Sequence, residues 1–284
     1  MPRVKGTVSA LAPWFGAKRT LADRIVEEIG EHRVYWEPFC GSMAVLFAKS
    51  PVSFETVNDL HGDLVNLARV VQDEALCGRL YWRLRCTIPA EALFRESLAK
   101  IRSEPCSQDK GPQLDRAYHY FVISWLGRNG IAGISNDSTS FCKRYGSTGG
   151  SPGTRFISAV ESLPPWHERL RGVVVLSCDG IELCEKIEDK AGTVIYVDPP
   201  YFAKGAKYLY DFNPEHHERL AAALHRFKNT RVVLSYYAHP EVDRLYPSWR
   251  RVDVATTKAL VNTGKREAGG VTVAPEVILV NDKE

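Results

Sequence analysis

Hydrophobic positions in the first 75 residues alternate between helical stripes and short apolar runs. Apolar side chains recur at helical spacing in 17–29, 43–49 and 64–71. Between these stripes, the apolar runs at 34–39 and 54–57 have the length of strands. Strands that alternate with helices predict a parallel sheet with crossover helices.

The pattern changes after residue 75. Residues 76–126 have helical periodicity, whereas 128–156 contain six glycines, four basic residues and a single acidic one. A long segment without periodicity predicts a functional loop. The α/β pattern then resumes, with a helix predicted over 214–227. Further strands are predicted at 172–177, 193–198, 231–235, 250–255 and 276–281.

These elements predict an α/β fold, with a Rossmann-like sheet built from residues 1–75 and 166–284. Residues 76–165 form a mainly helical insertion. Charge separates the parts: residues 76–172 carry 14 basic and 8 acidic side chains, while both flanking segments are slightly acidic. A basic insertion favours a phosphate-binding module, although a solvated helical surface is the alternative.

Composition excludes several classes of protein. No apolar stretch approaches the ~18 residues that span a bilayer, and no secretory signal precedes the first helix, so we expect a cytosolic protein. The seven cysteines form no C-x-x-C pair, which argues against a four-ligand zinc site. His61, His216 and His217 lack the spacing of metal ligands, so we predict no metal and surface histidines. We expect Trp82 and Trp125 to lie in the core.

The sharpest motif is a strand that ends in Asp198, Pro199, Pro200 and Tyr201. Ligands of open α/β sheets bind at the carboxyl ends of strands. Asp198 and the carbonyl of Pro199 can each accept an N–H from an aromatic amino group, which turns its lone pair towards a methyl sulfonium. A carboxylate and the ring of Tyr201 also stabilise the positive charge that moves to the amine.

Two further strand ends suit a nucleotide-like cofactor. Gly41 follows the first strand in a tight turn that leads into a helix, so the backbone can approach a ligand there. Asp59 follows the second strand, where an acid bonds ribose hydroxyls or caps the next helix. The turn is not G-x-G-x-x-G, which disfavours a pyrophosphate ligand.

Together these segments resemble the Dam-type (D12 class) DNA N6-adenine methyltransferases over most of the chain. The segments that match are Trp14–Lys18, Glu37–Ser42, Asn58–Asp59, Asp198–Tyr201 and Glu276–Asn281. The family often has glycine where Ala17 and Met43 stand, and neither change removes a functional group. A methionine at 43 fits the first turn of a helix.

The resemblance implies S-adenosylmethionine as cofactor and Asp198 through Tyr201 as the catalytic turn that holds a flipped adenine. It implies that the residues in contact with the cofactor or next to it are Trp14, Lys18, Glu37, Phe39, Gly41, Asp59, Asp179 and Asp198. The partner would be double-stranded DNA, bound by a monomer in the nucleoid, with a restriction system as a further expected partner.

The basic insertion would then be the target-recognition domain. An amino group inside a duplex is inaccessible, so the nucleotide must be extruded into the pocket. Arginine matches phosphates and guanine edges, and an aromatic ring can fill the gap. The candidate DNA-binding residues are Arg128, Asn129, Lys143, Arg144, Tyr145 and Arg155.

Three other functions stay open at the level of sequence. The same turn serves RNA adenine methyltransferases and protein glutamine methyltransferases. The third is a non-catalytic DNA-binding protein with a relict methyltransferase fold. The protein-modifying type usually carries asparagine in the turn, and intact Asp59, Asp198 and Tyr201 argue against decay.

Overall fold

One seven-stranded sheet organises the computed structural model, which describes residues 9–14, 18–107, 111–128, 140–143, 151–202, 212–257 and 273–282. The strands in these ranges are β1 Val34–Glu37, β2 Phe54–Asn58, β3 Val174–Leu176, β4 Thr193–Val197, β5 Arg231–Tyr237, β6 Arg250–Thr257 and β7 Val273–Val280. Their order is β3-β2-β1-β4-β5-β7-β6. Strands β1 to β5 pair in parallel, and β7 pairs antiparallel with both β5 and β6.

Helices cover the sheet and fill the long connection between β2 and β3. The helices in the described ranges are α1 Ala22–Ile29, α2 Ala44–Ala48, α3 Gly62–Gln72, α4 Glu74–Arg85, α5 Glu91–Ser103, α6 Leu114–Leu126, α7 Pro152–Val160, α8 Leu163–Leu170, α9 Gly180–Lys186, α10 Pro214–His225 and α11 Pro240–Leu245. A 3₁₀ turn, Lys18–Thr20, precedes α1. Helices α3 to α8 all lie between β2 and β3 in the chain.

The central strand β4 shows why the sheet is buried on both faces. All five of its residues are buried. Val194 and Tyr196 belong to the hydrophobic core that contains α3 and α6, whereas Ile195 and Val197 belong to the core that contains α9 and α10. Successive side chains of a strand point to opposite faces, so a continuous apolar run is what a strand between two helical layers requires.

The predicted α/β class and its mostly parallel sheet are confirmed. The irregular segment predicted over 128–156 is wrong from residue 152 onwards, because α7 begins there. Ser151 caps this helix by accepting from Thr154 N–H, and Pro152 occupies the first turn. The division at residues 75 and 165 stays a prediction, and α8 spans the second boundary.

Two burial predictions are also wrong. Trp82 is 63% exposed, because it lies on the solvent face of α4 while Leu80 and Leu84 face the core. His217 is only 2% exposed and its Nδ1 lies 2.8 Å from the hydroxyl of Tyr236, so it is not a surface histidine. Burial lowers the pKa of His217 to about 4. Within the described ranges, no helix combines the length and apolarity of a membrane span.

Candidate active site

Parallel pairing gathers the candidate residues at one edge of the sheet. Strands β2, β1 and β4 are neighbours with the same direction, so their carboxyl ends meet. The chain after β1 leads to Gly41, the chain after β2 to Asp59, and the chain after β4 to Asp198. The strand order therefore places these three strand ends at one edge of the sheet.

Asp198 lies in a buried cluster of charged and hydroxyl groups. Its Oδ1 is 2.9 Å from Nζ of Lys18 and 3.0 Å from the hydroxyl of Tyr201. Both groups also reach Oε1 of Glu276, at 3.1 Å from Lys18 and 2.7 Å from Tyr201. Burial raises the pKa of Asp198, although the contacts with Lys18 act in the opposite direction.

Tyr201 is engaged through its hydroxyl in this arrangement. The ring is 7% exposed and lies edge-on to Tyr237, with ring centroids 4.6 Å apart. Lys18 Nζ lies 4.9 Å from the centroid of the same ring. Burial and the neighbouring carboxylates raise the pKa of Tyr201 well above its usual value, so the phenol remains a neutral donor. Stacking of this ring on a base stays a prediction.

Glu37 is a second buried carboxyl group behind the cluster. It is the last residue of β1 and 2% exposed, and its Oε2 accepts a hydrogen bond of 2.9 Å from the hydroxyl of Tyr35. Burial raises the pKa of Glu37 to about 8, and the charge of Asp198 adds to that effect. At neutral pH this carboxyl group is therefore mostly protonated in the folded chain.

The loop after β1 is held by Asp59. Gly41 adopts a left-handed φ of +45° and its N–H donates to Oδ2 of Asp59 at 2.8 Å. A Cβ on Gly41 would lie 2.9 Å from Nε1 of Trp14, so only glycine fits there. Oδ1 of Asp59 accepts from His61 N–H at 2.8 Å. Asp59 and Trp14 thus meet at the predicted cofactor loop.

His61, rather than Asp59, caps α3, which corrects one of the two readings of that acid. The Nδ1 atom of His61 accepts from Leu64 N–H, and the ring lies 5.4 Å from that of Trp14. Burial lowers the pKa of His61. Its neutral ring therefore lines the same loop, a place that the sequence alone did not assign to it.

Met43 has an unusual backbone for a methionine. Its φ is +59°, which makes it the one non-glycine residue with positive φ in the described part of the chain. It precedes α2 as the N-cap instead of joining the first turn, which corrects the expectation for this position. The side chain is fully buried, so apolar packing offsets a backbone strain of about 1–3 kcal/mol.

The end of β3 is fastened to the loop after β1. Asn58 donates through Nδ2 to the carbonyls of Pro38 and Cys178, both at 2.9 Å. Asp179 is the N-cap of α9, and its Oδ1 accepts from two N–H groups of the first turn. A Cβ on Gly180 would lie 2.7 Å from the ring of Phe39. The predicted cofactor residues Phe39 and Asp179 are therefore neighbours across Gly180.

The candidate DNA-binding residues are less completely placed. Arg128 lies just after α6 and is exposed, and its backbone N–H donates to the carbonyl of Ser140. Lys143 forms an ion pair of 2.8 Å with Glu91. Arg155 lies on α7, and its Nε and Nη2 are buried without a hydrogen-bond partner. The other three candidates fall outside the described residues: Asn129, Arg144 and Tyr145.

No role was assigned from the sequence to Glu276, although Glu276–Asn281 is one of the segments that resemble the family, or to an aromatic group beside the turn at Asp198. Glu276 sits on β7, and an isolated acid in a strand gives no sign of which distant side chains it meets. The ring of Phe202 is stacked with two histidine rings, with centroid distances of 3.6 Å to His217 and 5.1 Å to His239. The sequence signals that could have indicated this group are Phe202 directly after the turn, and His217 and His239 near the starts of α10 and α11.

A mostly parallel sheet with acidic side chains at the carboxyl ends of β2 and β4 has the Rossmann-like architecture, in which ligands bind at that edge. The D12 class N6 adenine-specific DNA methyltransferase model matches residues 14–260, and the chain belongs to that family. It is therefore a methyltransferase, and S-adenosylmethionine is the implied methyl donor. No curated protein matches the chain.

Three solved structures that the chain matches are distant in sequence and have low TM-scores. A precorrin 8W decarboxylase from Methanobacterium thermoautotrophicum is 11% identical, with 99% of this chain and 98% of that chain covered and a TM-score of 0.36. A domain assigned as precorrin-6Y C5,15-methyltransferase from Corynebacterium diphtheriae is 10% identical, with 94% and 95% covered and a TM-score of 0.30. A protein assigned as a methyltransferase from Thermoplasma acidophilum is 13% identical, with 45% and 52% covered and a TM-score of 0.24.

The residues present fit S-adenosylmethionine. Asp59 keeps lone pairs for ribose hydroxyls after accepting its two backbone N–H groups. The carboxyl groups of Asp198 and Glu276 suit a cationic sulfonium. Two acidic groups share the single ammonium of Lys18, so the cluster can stabilise a further positive charge. Among the residues that the structure describes, no group of His, Cys, Asp or Glu is arranged to hold a metal ion.

Proposed function

We propose that the chain is a site-specific DNA methyltransferase that acts on N6 of an adenine turned out of the duplex. The observation that carries the proposal is the match of the D12 class model across residues 14–260. The position of Asp198 supports it, because an acceptor at the carboxyl end of a central strand suits an exocyclic amine.

Asp198 is the principal catalytic residue in this proposal. Lys18 and Tyr201 both contact its Oδ1, and the side chain is 20% exposed. Oδ2 is then the atom that accepts one N–H of the target amine, while the carbonyl of Pro199 accepts the other. Pro200 stiffens the turn. Bound S-adenosylmethionine supplies a methyl group on a sulfonium.

Asp198 acts by position and charge. The amine becomes positive as the bond to the methyl group forms, and a preorganised carboxylate stabilises that charge. The amine loses its proton easily only after it is methylated, so Asp198 accepts a hydrogen bond first and a proton last. Lys18 favours the ionised form of Asp198, which this role requires.

The helices between β2 and β3 would carry the target-recognition function. Arg128 is exposed, so it is available for a phosphate contact. The Nε and Nη2 atoms of Arg155 have no hydrogen-bond partner among the described residues, but they are buried and must become exposed before they can meet a phosphate. The ion pair of Lys143 with Glu91 must open before Lys143 can reach a phosphate. Binding through these side chains would be sensitive to salt.

Methyl transfer from tritiated S-adenosylmethionine to duplex DNA, to RNA and to a protein extract tests the proposal. We expect label in DNA alone, recovered as N6-methyladenine after hydrolysis to nucleosides. Sequencing with modification detection then gives the site. Label confined to RNA or protein, or cofactor binding without transfer to any of the three, contradicts the proposal.

The Asp198→Ala variant tests whether Asp198 is needed for methyl transfer. Asp198→Ala should lower the rate of transfer by about 10³-fold, because it removes the charge aimed at the reacting amine. Binding of DNA, measured by fluorescence anisotropy, should persist. Asp253→Ala is the matched control, since that side chain is 70% exposed on β6. Normal transfer by Asp198→Ala would show that the turn is misassigned.

A further inference from the structure

Glu276 links two side chains that both contact Asp198. Its Oε1 lies 2.7 Å from the Tyr201 hydroxyl and 3.1 Å from Lys18 Nζ. The same two groups lie 3.0 Å and 2.9 Å from Oδ1 of Asp198. The four groups therefore form a closed ring of contacts, in which Glu276 is opposite Asp198.

The sheet topology brings Glu276 to this place. It pairs with Tyr237 in the antiparallel register of β5 and β7, and the Tyr237 ring lies edge-on to that of Tyr201. Strand β5 is the neighbour of β4, whose carboxyl end carries Asp198. A residue 75 positions after Tyr201 thus becomes its hydrogen-bond partner.

We propose that Glu276 is a positioning residue for methyl transfer, which holds Lys18 and Tyr201 so that Asp198 is fixed through Oδ1. In the described part of the chain both contacts of Asp198 use this oxygen. Oδ2 is left to accept the target amine, as the proposed function requires. Glu276 itself does not touch the substrate.

Charge and burial explain why a second carboxylate is needed. Lys18 is 5% exposed and the side chain of Glu276 10% exposed, so water contributes little to holding either group. Without the contact to Glu276, Lys18 would be held less firmly against Asp198 and could move with that side chain. A second acceptor on a different strand fixes the ammonium from two directions. The Tyr201 hydroxyl has one hydrogen, so it donates to one of the two carboxylates at a time while the other lies within hydrogen-bond distance.

A double-mutant cycle separates positioning from simple stability. Glu276→Gln, Tyr201→Phe and the double variant are compared with the wild-type chain in single-turnover methylation of DNA at saturating cofactor. Misplacement of a catalytic group by about 1 Å costs about 10²-fold in rate, so we expect each single variant to lose about 10- to 100-fold in the rate constant. KM for DNA should change by less than about threefold, since no substrate contact is removed.

Glutamine at 276 keeps an oxygen that can accept from the Tyr201 hydroxyl but loses the charge, whereas Tyr201→Phe removes the hydroxyl. The double variant should be about as slow as the worse single variant, because both changes weaken the one contact between Tyr201 and Glu276. Losses that multiply would overturn the proposal. Glu55→Gln is the matched control: Glu55 is also buried and paired twice, with Lys49 and Arg169, on β2. It should lower stability and leave the rate constant of the folded enzyme unchanged.

A spectroscopic measurement keeps the test independent of the substrate. With tyrosine labelled with ¹³C at Cζ, the Tyr201 signal is identified by its loss in Tyr201→Phe. Glu276→Gln should shift that signal and Glu55→Gln should not, and an unshifted signal overturns the proposal. Glu276→Met, which keeps apolar bulk, answers the same question if the glutamine variant fails to fold. If the wild-type chain methylates no DNA, the proposed function fails while this measurement still decides the role of Glu276.

Discussion

Replacing Glu37 by glutamine measures how the ionisation of one buried carboxyl group changes the free energy of unfolding. Burial raises the pKa of Glu37 to about 8, from an ordinary value of 4.5. The Tyr35 hydroxyl donates to it at 2.9 Å. Glutamine has the same shape, cannot ionise and still offers an oxygen to Tyr35. The substitution therefore removes the titration and keeps the contact.

The magnitude follows from the two pKa values. Between pH 4.5 and about 8 the unfolded chain has released this proton and the folded chain retains it. The unfolded state then binds fewer protons, so stability falls with pH by about 1.4 kcal/mol per unit. The contribution of Glu37 is fully present below its unfolded pKa and is lost as pH rises through the folded value. Over the whole interval the loss is about 4–5 kcal/mol.

Urea unfolding of both proteins across this pH range measures the effect. The free energy of unfolding of Glu37→Gln, relative to wild type, should rise by about 1.4 kcal/mol per pH unit. Parallel stability curves for the two proteins would refute the reasoning.

Glu55→Gln is the control with the opposite sign. Burial acts to raise the pKa of Glu55, but hydrogen bonds from Arg169 and Lys49 bring it below its ordinary value. Its stabilisation is present above the unfolded pKa and is lost as pH falls through the folded one. The glutamine variant should therefore be most destabilised at neutral pH.

Two further predictions concern the predicted cofactor loop and the helices that we propose to bind DNA. Gly41→Ala places a Cβ 2.9 Å from the Trp14 indole at a left-handed φ, so calorimetry should show weaker binding of S-adenosylmethionine and a loss of about 1–3 kcal/mol in stability; unchanged values would mean that the loop tolerates a side chain. Arg155→Ala should reduce the slope of log affinity for DNA against log salt by about 0.9, and an unchanged slope would exclude a phosphate contact by Arg155.

Local patterns predicted the parts of the site that lie at strand ends. The apolar run of β4 followed by Asp198, and the glycine turn after β1, depend on neighbouring residues and are readable without a fold. The start of α7 also has a local signal, with Ser151 as the N-cap and Pro152 in the first turn. We nevertheless predicted an irregular segment there, because the residues before this helix are rich in glycine.

Other features depend on contacts between distant segments. Glu276 meets Lys18 only because β7 inserts beside β5, and no pattern near residue 276 reports that register. The exposure of Trp82 depends on which stripe of α4 faces the core, and its helix has apolar residues on both sides. Both features depend on how distant segments pack together. The residues near each position do not show that packing.

The position of β7 has a consequence for biosynthesis. A ribosome releases β5 and β6 before β7, although β7 lies between them in the finished sheet. Until it emerges, both flanking strands present open edges, which are prone to pair with other chains. During that interval Lys18 and Tyr201 also lack their contacts with Glu276. A nascent polypeptide therefore completes the cluster around Asp198 and gains protection from aggregation in the same late step.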